Sequence, residues 1–273
     1  MNKKVHFMAG LPRSGSTLLT SLLNQNPQIY AAHQTALQPT VKQFMQSFPN
    51  RETTMSGYQT EVYKNVIKNT AQAFYEDTDK PIVIDKNREW VTPYSLNLAE
   101  IINEDVKIIF PYRPILEVLA SFIVLAENNV NNYIDVNMQN EDFWSYHYRP
   151  INDARCDWLM KNNGQIDAAL FGFKLSQDPQ YKKMFHIVKY DNLCANPQKE
   201  LNDIYNFIGL ENYKNNFDYI ENKELLNDGE VFGIPALHYV RGKITKVSKK
   251  YTEVLSDYVI QKYGNALESL EGL

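Results

Sequence analysis

The sequence predicts an α/β fold, a central parallel sheet covered by helices on both faces. Two observations carry that reading. Four short apolar runs, Val5–Ala9, Ile82–Ile84, Val106–Phe110 and His186–Val188, are each bounded by polar or turn residues. Helical patterns fill the intervals, and alternating strand and helix signals argue for parallel strands buried on both faces. A chain of 273 residues is long enough to build one such domain around a sizeable core.

Each element has its own signal. Lys3 and Lys4 ahead of Val5–Ala9 superficially resemble a signal peptide, but the run is short, contains His6 and meets Gly10-Leu11-Pro12-Arg13 at once. It reads as a first strand. Leu18, Leu19, Leu22 and Leu23 form a helical stripe that stops at Asn26-Pro27. Residues Gln38 to Phe74 are helical with a weaker pattern, and Asp135 to Asn163 carry Phe143, Trp144, Tyr148 and Trp158 without a clean period. These stretches, bounded at 38–79 and 127–165, are expected as helical insertions that wall a substrate cleft. A helix over Ile115–Ala126 follows the third strand. Asn196 and Pro197 mark a helix start, Leu201, Ile204, Tyr205 and Ile208 its apolar face, and Gly209 its stop. Val254, Leu255, Tyr258 and Val259 suggest a terminal amphipathic helix through Tyr263. Pro and Gly are spread too evenly to mark a linker, so residues 1–273 are expected as a single domain.

Composition narrows the function. With 44% hydrophobic and 22% charged residues the chain is ordinary globular protein. A formal charge of −4 gives no global attraction to nucleic acid or acidic membranes, so an anion site must be built locally. Cys156 and Cys194 are too few for a disulfide framework, and no Cys/His cluster suggests a metal. A reduced, cytoplasmic setting is expected. No stretch approaches the length of a membrane span.

The most informative segment runs from Val5 to Leu19 as strand, glycine-bearing loop and helix. At such a junction the first backbone N–H groups of the helix lack intrahelical partners, and with the helix dipole they form an anion site. Gly15 permits close backbone approach, Ser14, Ser16 and Thr17 add hydroxyls, and Arg13 adds a permanent charge. Gly10 and Gly15 have the spacing of the glycines in G-x-x-x-x-G-K-[ST], but Ser16 occupies the lysine position. That lysine serves a triphosphate, and its absence argues against an ATPase or kinase, though Arg13 could partly substitute for it.

Gly10-Leu11-Pro12-Arg13-Ser14-Gly15-Ser16-Thr17-Leu18 resembles the 5′-phosphosulfate loop of the sulfotransferase superfamily, nearest its bacterial and tyrosylprotein branch. A second signature of that family is an arginine past a strand end and a serine eight positions later. Arg113 and Ser121 reproduce it after Val106–Phe110. The resemblance implies a P-loop-like three-layer fold and a donor, 3′-phosphoadenosine 5′-phosphosulfate (PAPS), whose 3′-phosphate is held by Arg113 and Ser121. It assigns Lys86, at the end of Ile82–Ile84, to the transferred sulfuryl group, with Arg13 sharing the charge. It sets Tyr190, at the end of His186–Val188, beside the adenine, lets Arg241 and Lys243 of a late basic segment close over the nucleotide, and places His238 of that segment on the acceptor side. Two positions depart from the pattern: Pro114 follows Arg113, and Glu117 stands where a second arginine is common.

A hydroxyl acceptor also needs its proton removed. The tyrosylprotein branch uses a glutamate after the first helix, and Gln34 falls at that position. His33 next to it is the expected base, with His147 and residues peculiar to the acceptor as alternatives. The implied activity is sulfuryl transfer from PAPS to a hydroxyl or amine, releasing adenosine 3′,5′-bisphosphate (PAP) without a metal. Small-molecule, lipid, glycan and peptide acceptors all stay open. A P-loop phosphotransferase and a non-catalytic nucleotide-binding relative are the competing readings.

Overall fold

The computed structural model describes residues 2–46, 57–162, 164, 166–221, 227–246 and 249–265. Five parallel strands form its sheet: β1 (Lys4–Met8), β2 (Ile29–Ala31), β3 (Ile82–Lys86), β4 (Ile108–Tyr112) and β5 (Phe185–Lys189), in the order β2-β3-β1-β4-β5. The alternation of side chains along each strand explains the two layers around it. Val5, Phe7, Val83, Ile108 and Phe110 face one buried cluster, and Met8, Ile82, Ile84 and Ile109 face the other.

The second cluster is covered by α1 (Ser16–Leu23), through Leu19, Leu22 and Leu23, and by α11 (Pro197–Ile208), which follows α10 (Tyr190–Ala195). Leu201, Ile204, Tyr205 and Ile208 are buried, and Gly209 ends α11 at φ 79°. Asn196 starts this helix without a side-chain cap. The first cluster takes α2 (Leu37–Gln46), α3 (Gly57–Phe74), α4 (Pro93–Ile102), α5 (Ile115–Glu127) and α9 (Asp167–Gln177). The same cluster takes Ile134 of α6 (Tyr133–Glu141) and Cys156 and Leu159 of α8 (Ile151–Leu159); α7 (Phe143–Tyr148) lies between those two helices, and α12 (Asp228–Phe232) comes late in the chain.

Four strands coincide with the apolar runs to within two residues. β2 is an addition, a three-residue edge strand too short to show a period. The expected terminal helix is broken: Ser256 caps α13 (Asp257–Tyr263), and Tyr251–Glu253 forms a separate 3-10 turn. The 38–79 stretch is helical as α2 and α3, with 47–56 outside the described residues; 127–165 folds as α6 to α8, with 163 and 165 likewise outside. Among the described residues of these two stretches, only Lys42, Tyr133 and Gly164 line the cleft described below.

The strand order has a functional consequence. After β1 the chain crosses to β2 and β3 on one side, then to β4 and β5 on the other. The crevice above β1 and β4 is therefore the switch point at which open α/β sheets bind ligands.

Candidate active site

The loop between β1 and α1 is fixed from below. Gly10 lies against Pro111 of β4, where a Cβ would come within 2.4 Å of the Pro111 carbonyl oxygen. Its glycine is required by the neighbouring strand. Gly15 takes φ 82° as the residue before α1, and a Cβ there would meet the Tyr190 ring at 2.7 Å. Leu19 is the first amide of the α1 turn to bond back, to Gly15 O at 2.9 Å, so the start of the helix faces the cleft with its donors. Ser16 and Thr17 line that cleft. Ser14 does not; it is buried, and its hydroxyl donates back to Leu11 O within the loop. Gly15→Ala should lower stability by about 1–3 kcal/mol, from left-handed backbone strain plus the clash with Tyr190. Urea unfolding measures this, and the same substitution in a Tyr190→Ala background should cost less.

Arg13 itself sits at φ 59°, a strained conformation for a residue with a side chain. The strain turns its carbonyl toward β4, where it accepts from Arg113 Nη1 at 3.1 Å. Its own side chain crosses the cleft, with Nε donating to Ser121 Oγ at 3.3 Å and Nη1 to Leu237 O at 3.1 Å. Residues 100 positions apart are thereby joined. The two anion sites that the sequence suggests separately share a wall.

Arg113 follows β4 and is 3% exposed. Glu117, one turn along, accepts from its Nε at 3.0 Å, and its guanidinium lies 4.7 Å from the centroid of the Tyr190 ring. Glu117 thus orients the arginine. Tyr190 serves as the platform under Arg113 and against Gly15. One atom is left over: Arg113 Nη2 is buried and has no hydrogen-bond partner among the described residues. A buried guanidinium N–H without an acceptor is costly, and an anion in the cleft would supply one.

Lys86 ends β3 and lines the cleft. Its position is set by Asp85, which is fully buried and accepts from Thr35 Oγ1 at 2.5 Å, Trp90 Nε1 at 2.5 Å and the Tyr75 hydroxyl. Burial raises the Asp85 pKa, and these three donors act in the opposite sense. The register of β3 with β1, Lys86 opposite Met8, fixes the lysine level with the start of the phosphate loop.

The residues considered as bases are arranged differently from the sequence expectation. His33 is buried at 3% exposure with Nδ1 2.9 Å from Thr20 Oγ1, and it is not among the residues lining the cleft. Gln34 is the one that lines it. His147 is exposed on α7, away from the lining. A different histidine lines the cleft: His238, whose Nδ1 is 2.7 Å from Asp228 Oδ1.

Arg13, Gly15, Ser16, Thr17, Lys86, Arg113, Ser121, Tyr190, Arg241 and Lys243 all line one cleft of about 1220 Å³. Among the described residues its lining holds eight lysine and arginine side chains against three carboxylates, on a chain whose net charge is −4. This concentration of positive charge, with the orphaned Arg113 Nη2, suits a ligand carrying more than one phosphate-like group. Sequence reading missed the Asp85 hub, the Leu237 carbonyl and Asp228. Only Glu117, four residues after Arg113, carried a local signal.

No helix among the described residues is long and apolar enough to cross a membrane. A search of curated proteins found no match. Among solved structures, the sulfotransferase domain from the curacin biosynthetic pathway is similar over 99% of this chain and 98% of its own, at 15% identity and TM-score 0.58. The sulfotransferase domain of the Synechococcus PCC 7002 olefin synthase is similar over 99% and 95%, at 15% identity and TM-score 0.55. A sulfotransferase from Alicyclobacillus acidocaldarius is similar over 100% and 96%, at 14% identity and TM-score 0.52. These likenesses show the P-loop-like three-layer fold. The sequence profile described as the sulfotransferase family matches residues 6–215, which span the phosphate loop, Lys86, Arg113, Ser121 and Tyr190, and by that match the chain belongs to the sulfotransferase family.

Proposed function

We propose that this chain transfers a sulfuryl group from PAPS to a hydroxyl or amine acceptor. The observation that carries the reading is the junction of two anion-binding segments through the Arg13–Ser121 and Arg113–Arg13 hydrogen bonds, with the buried Arg113 Nη2 left unfilled. PAPS brings a phosphate at the 3′ position and a mixed phosphate–sulfate anhydride at the 5′ position. In this reading Arg113 and Ser121 bind the 3′-phosphate, and the amides and hydroxyls of Ser16 and Thr17 bind the 5′-phosphate. Lys86 and Arg13 offset the negative charge that grows on the bridging and sulfuryl oxygens as sulfur leaves phosphate. Arg241 and Lys243, exposed on the far lip, add charge over the nucleotide.

The cleft exceeds the roughly 300–1,000 Å³ of a single small-ligand site, which leaves room for an acceptor beside the nucleotide. Phe122, Leu125, Tyr133, Phe171 and Phe232 line it as well, so the acceptor surface offers apolar and aromatic contacts. Small-molecule, lipid, glycan and peptide acceptors fit that description. Both cysteines are unpaired, which supports a cytoplasmic setting.

PAP, the expected product, should raise the melting temperature. At a concentration one hundred times its Kd the stabilisation is about 2.7 kcal/mol, roughly 5–10 °C for a domain of this size. Differential scanning fluorimetry with PAP and with ATP–Mg²⁺ decides the matter. A shift with ATP–Mg²⁺ and none with PAP would point to phosphotransfer instead.

A further inference from the structure

On the reading that the cleft transfers a sulfuryl group, we propose that His238 is the general base of the reaction and that Asp228 is its positioning residue. Asp228 is buried, and both its oxygens serve the histidine: Oδ1 lies 2.7 Å from Nδ1, and Oδ2 accepts from the His238 backbone N–H at 2.7 Å. With Nδ1–H donated to a carboxylate, Nε2 carries the basic lone pair, the arrangement in which a carboxylate fixes the tautomer of a catalytic imidazole.

The segment bearing the pair is built to hold still. Asp228 begins α12, and Gly233 ends it at φ 63° with its backbone against Asn131, where a Cβ would fall 2.0 Å from the carbonyl oxygen. The Phe232 ring packs 5.6 Å from the imidazole. Ala236 adopts φ 60°, and the next carbonyl, that of Leu237, is gripped by Arg13. The only two non-glycine residues with positive φ among the described residues, Arg13 and Ala236, thus meet at this point. Strain concentrated at a ligand cleft is a mark of function.

His238 lines the same cleft as Lys86 and Arg13, the cations assigned to the leaving side. Burial is the main cause of a pKa below the ordinary imidazole value; Asp228 opposes it, and Lys86 and Arg13 add to the lowering. The ring is therefore neutral, and a competent base, at pH 7. The step balances as follows. The acceptor oxygen forms a bond to sulfur while its proton passes to His238 Nε2. The bond from sulfur to the bridging oxygen breaks, its electron pair leaving on the 5′-phosphate of PAP. The imidazolium then releases the proton to solvent.

Water, a hydroxyl acceptor whose presence is assured, serves as the probe. Single-turnover hydrolysis of PAPS by the wild-type protein should exceed the uncatalysed rate and lose activity only below about pH 6.5, as the imidazole protonates. His238→Gln should lower the rate about 10²–10⁴-fold and abolish that acid limb, with PAP affinity retained in calorimetry. Asp228→Asn should lower it at least about ten-fold by presenting the wrong tautomer. The proposal is overturned if His238→Gln keeps the wild-type rate, or if the acid limb persists in that variant. It is also overturned if a wild-type protein that binds PAP gives a pH-independent rate or none above background. Failure of the wild-type protein to bind PAP at all would instead count against PAPS as donor. Should His238→Gln not fold, Asp228→Asn and the wild-type pH profile decide.

Discussion

Lys86→Ala is expected to lower donor turnover by about 10²–10³-fold, the usual cost of removing one group aimed at developing charge. The affinity for PAP should change little by comparison. The split follows from where charge appears. In the proposed reading PAP would present its negative charge mainly to Arg113, Ser121 and the start of α1, which line the cleft independently of Lys86. In that reading charge grows beside Lys86, at the end of β3, only during transfer. Its backbone is held by register with Met8 and by the Asp85 hub, so the loss cannot be recovered by a shift of the strand. Lys86→Arg, which keeps the charge, should recover part of the rate. Single-turnover kinetics with saturating PAPS, beside calorimetry with PAP, separate the two effects. Equal and small losses in both would mean that Lys86 has no part in the transfer step.

Arg113→Ala should act in the opposite sense, weakening PAP by on the order of 10²-fold, as expected for one to two lost hydrogen bonds to a charged group. The arginine is already committed on three sides, to Glu117, to the Arg13 carbonyl and to the Tyr190 ring, while Nη2, without a partner among the described residues, remains for a ligand. A group so ordered before binding loses little entropy when the phosphate arrives. Lysine cannot reproduce the fork, so Arg113→Lys should rescue little. Because removing the buried guanidinium also strands Glu117, titrations belong well below the melting temperature of the variant. A PAP affinity within about three-fold of wild type would remove Arg113 from the donor site, since a lost charged contact costs more than that.

Much of this was legible in the sequence, and the exceptions share a cause. β1, β3, β4 and β5 are marked by apolar runs with polar ends, whereas β2 is three residues long and pairs only with β3 at the sheet edge. β4 begins later than its apolar run and continues through Pro111, which pairs with Val188 of β5. A proline argues against a strand in sequence, yet here it is seated against the glycine of the neighbouring loop. The proposed donor-site residues Arg13, Ser16, Thr17, Lys86, Arg113, Ser121 and Tyr190 announce themselves because each lies at or just past a strand end or on the helix that follows, where chain order fixes spatial order. His238 and Asp228 lie ten residues apart in a segment without a periodic pattern, and only the fold reveals their pairing. His33, favoured by its place in the chain, is carried inward by the turn after β2 and packs on Thr20.

The most direct measurement is a crystal structure with PAP bound. The account predicts the 3′-phosphate on Arg113 Nη2 and Ser121, the 5′-phosphate on Ser16 and Thr17, and Lys86 and His238 facing the vacant side of that phosphate. A nucleotide seated elsewhere, or with its two phosphates exchanged, would contradict it.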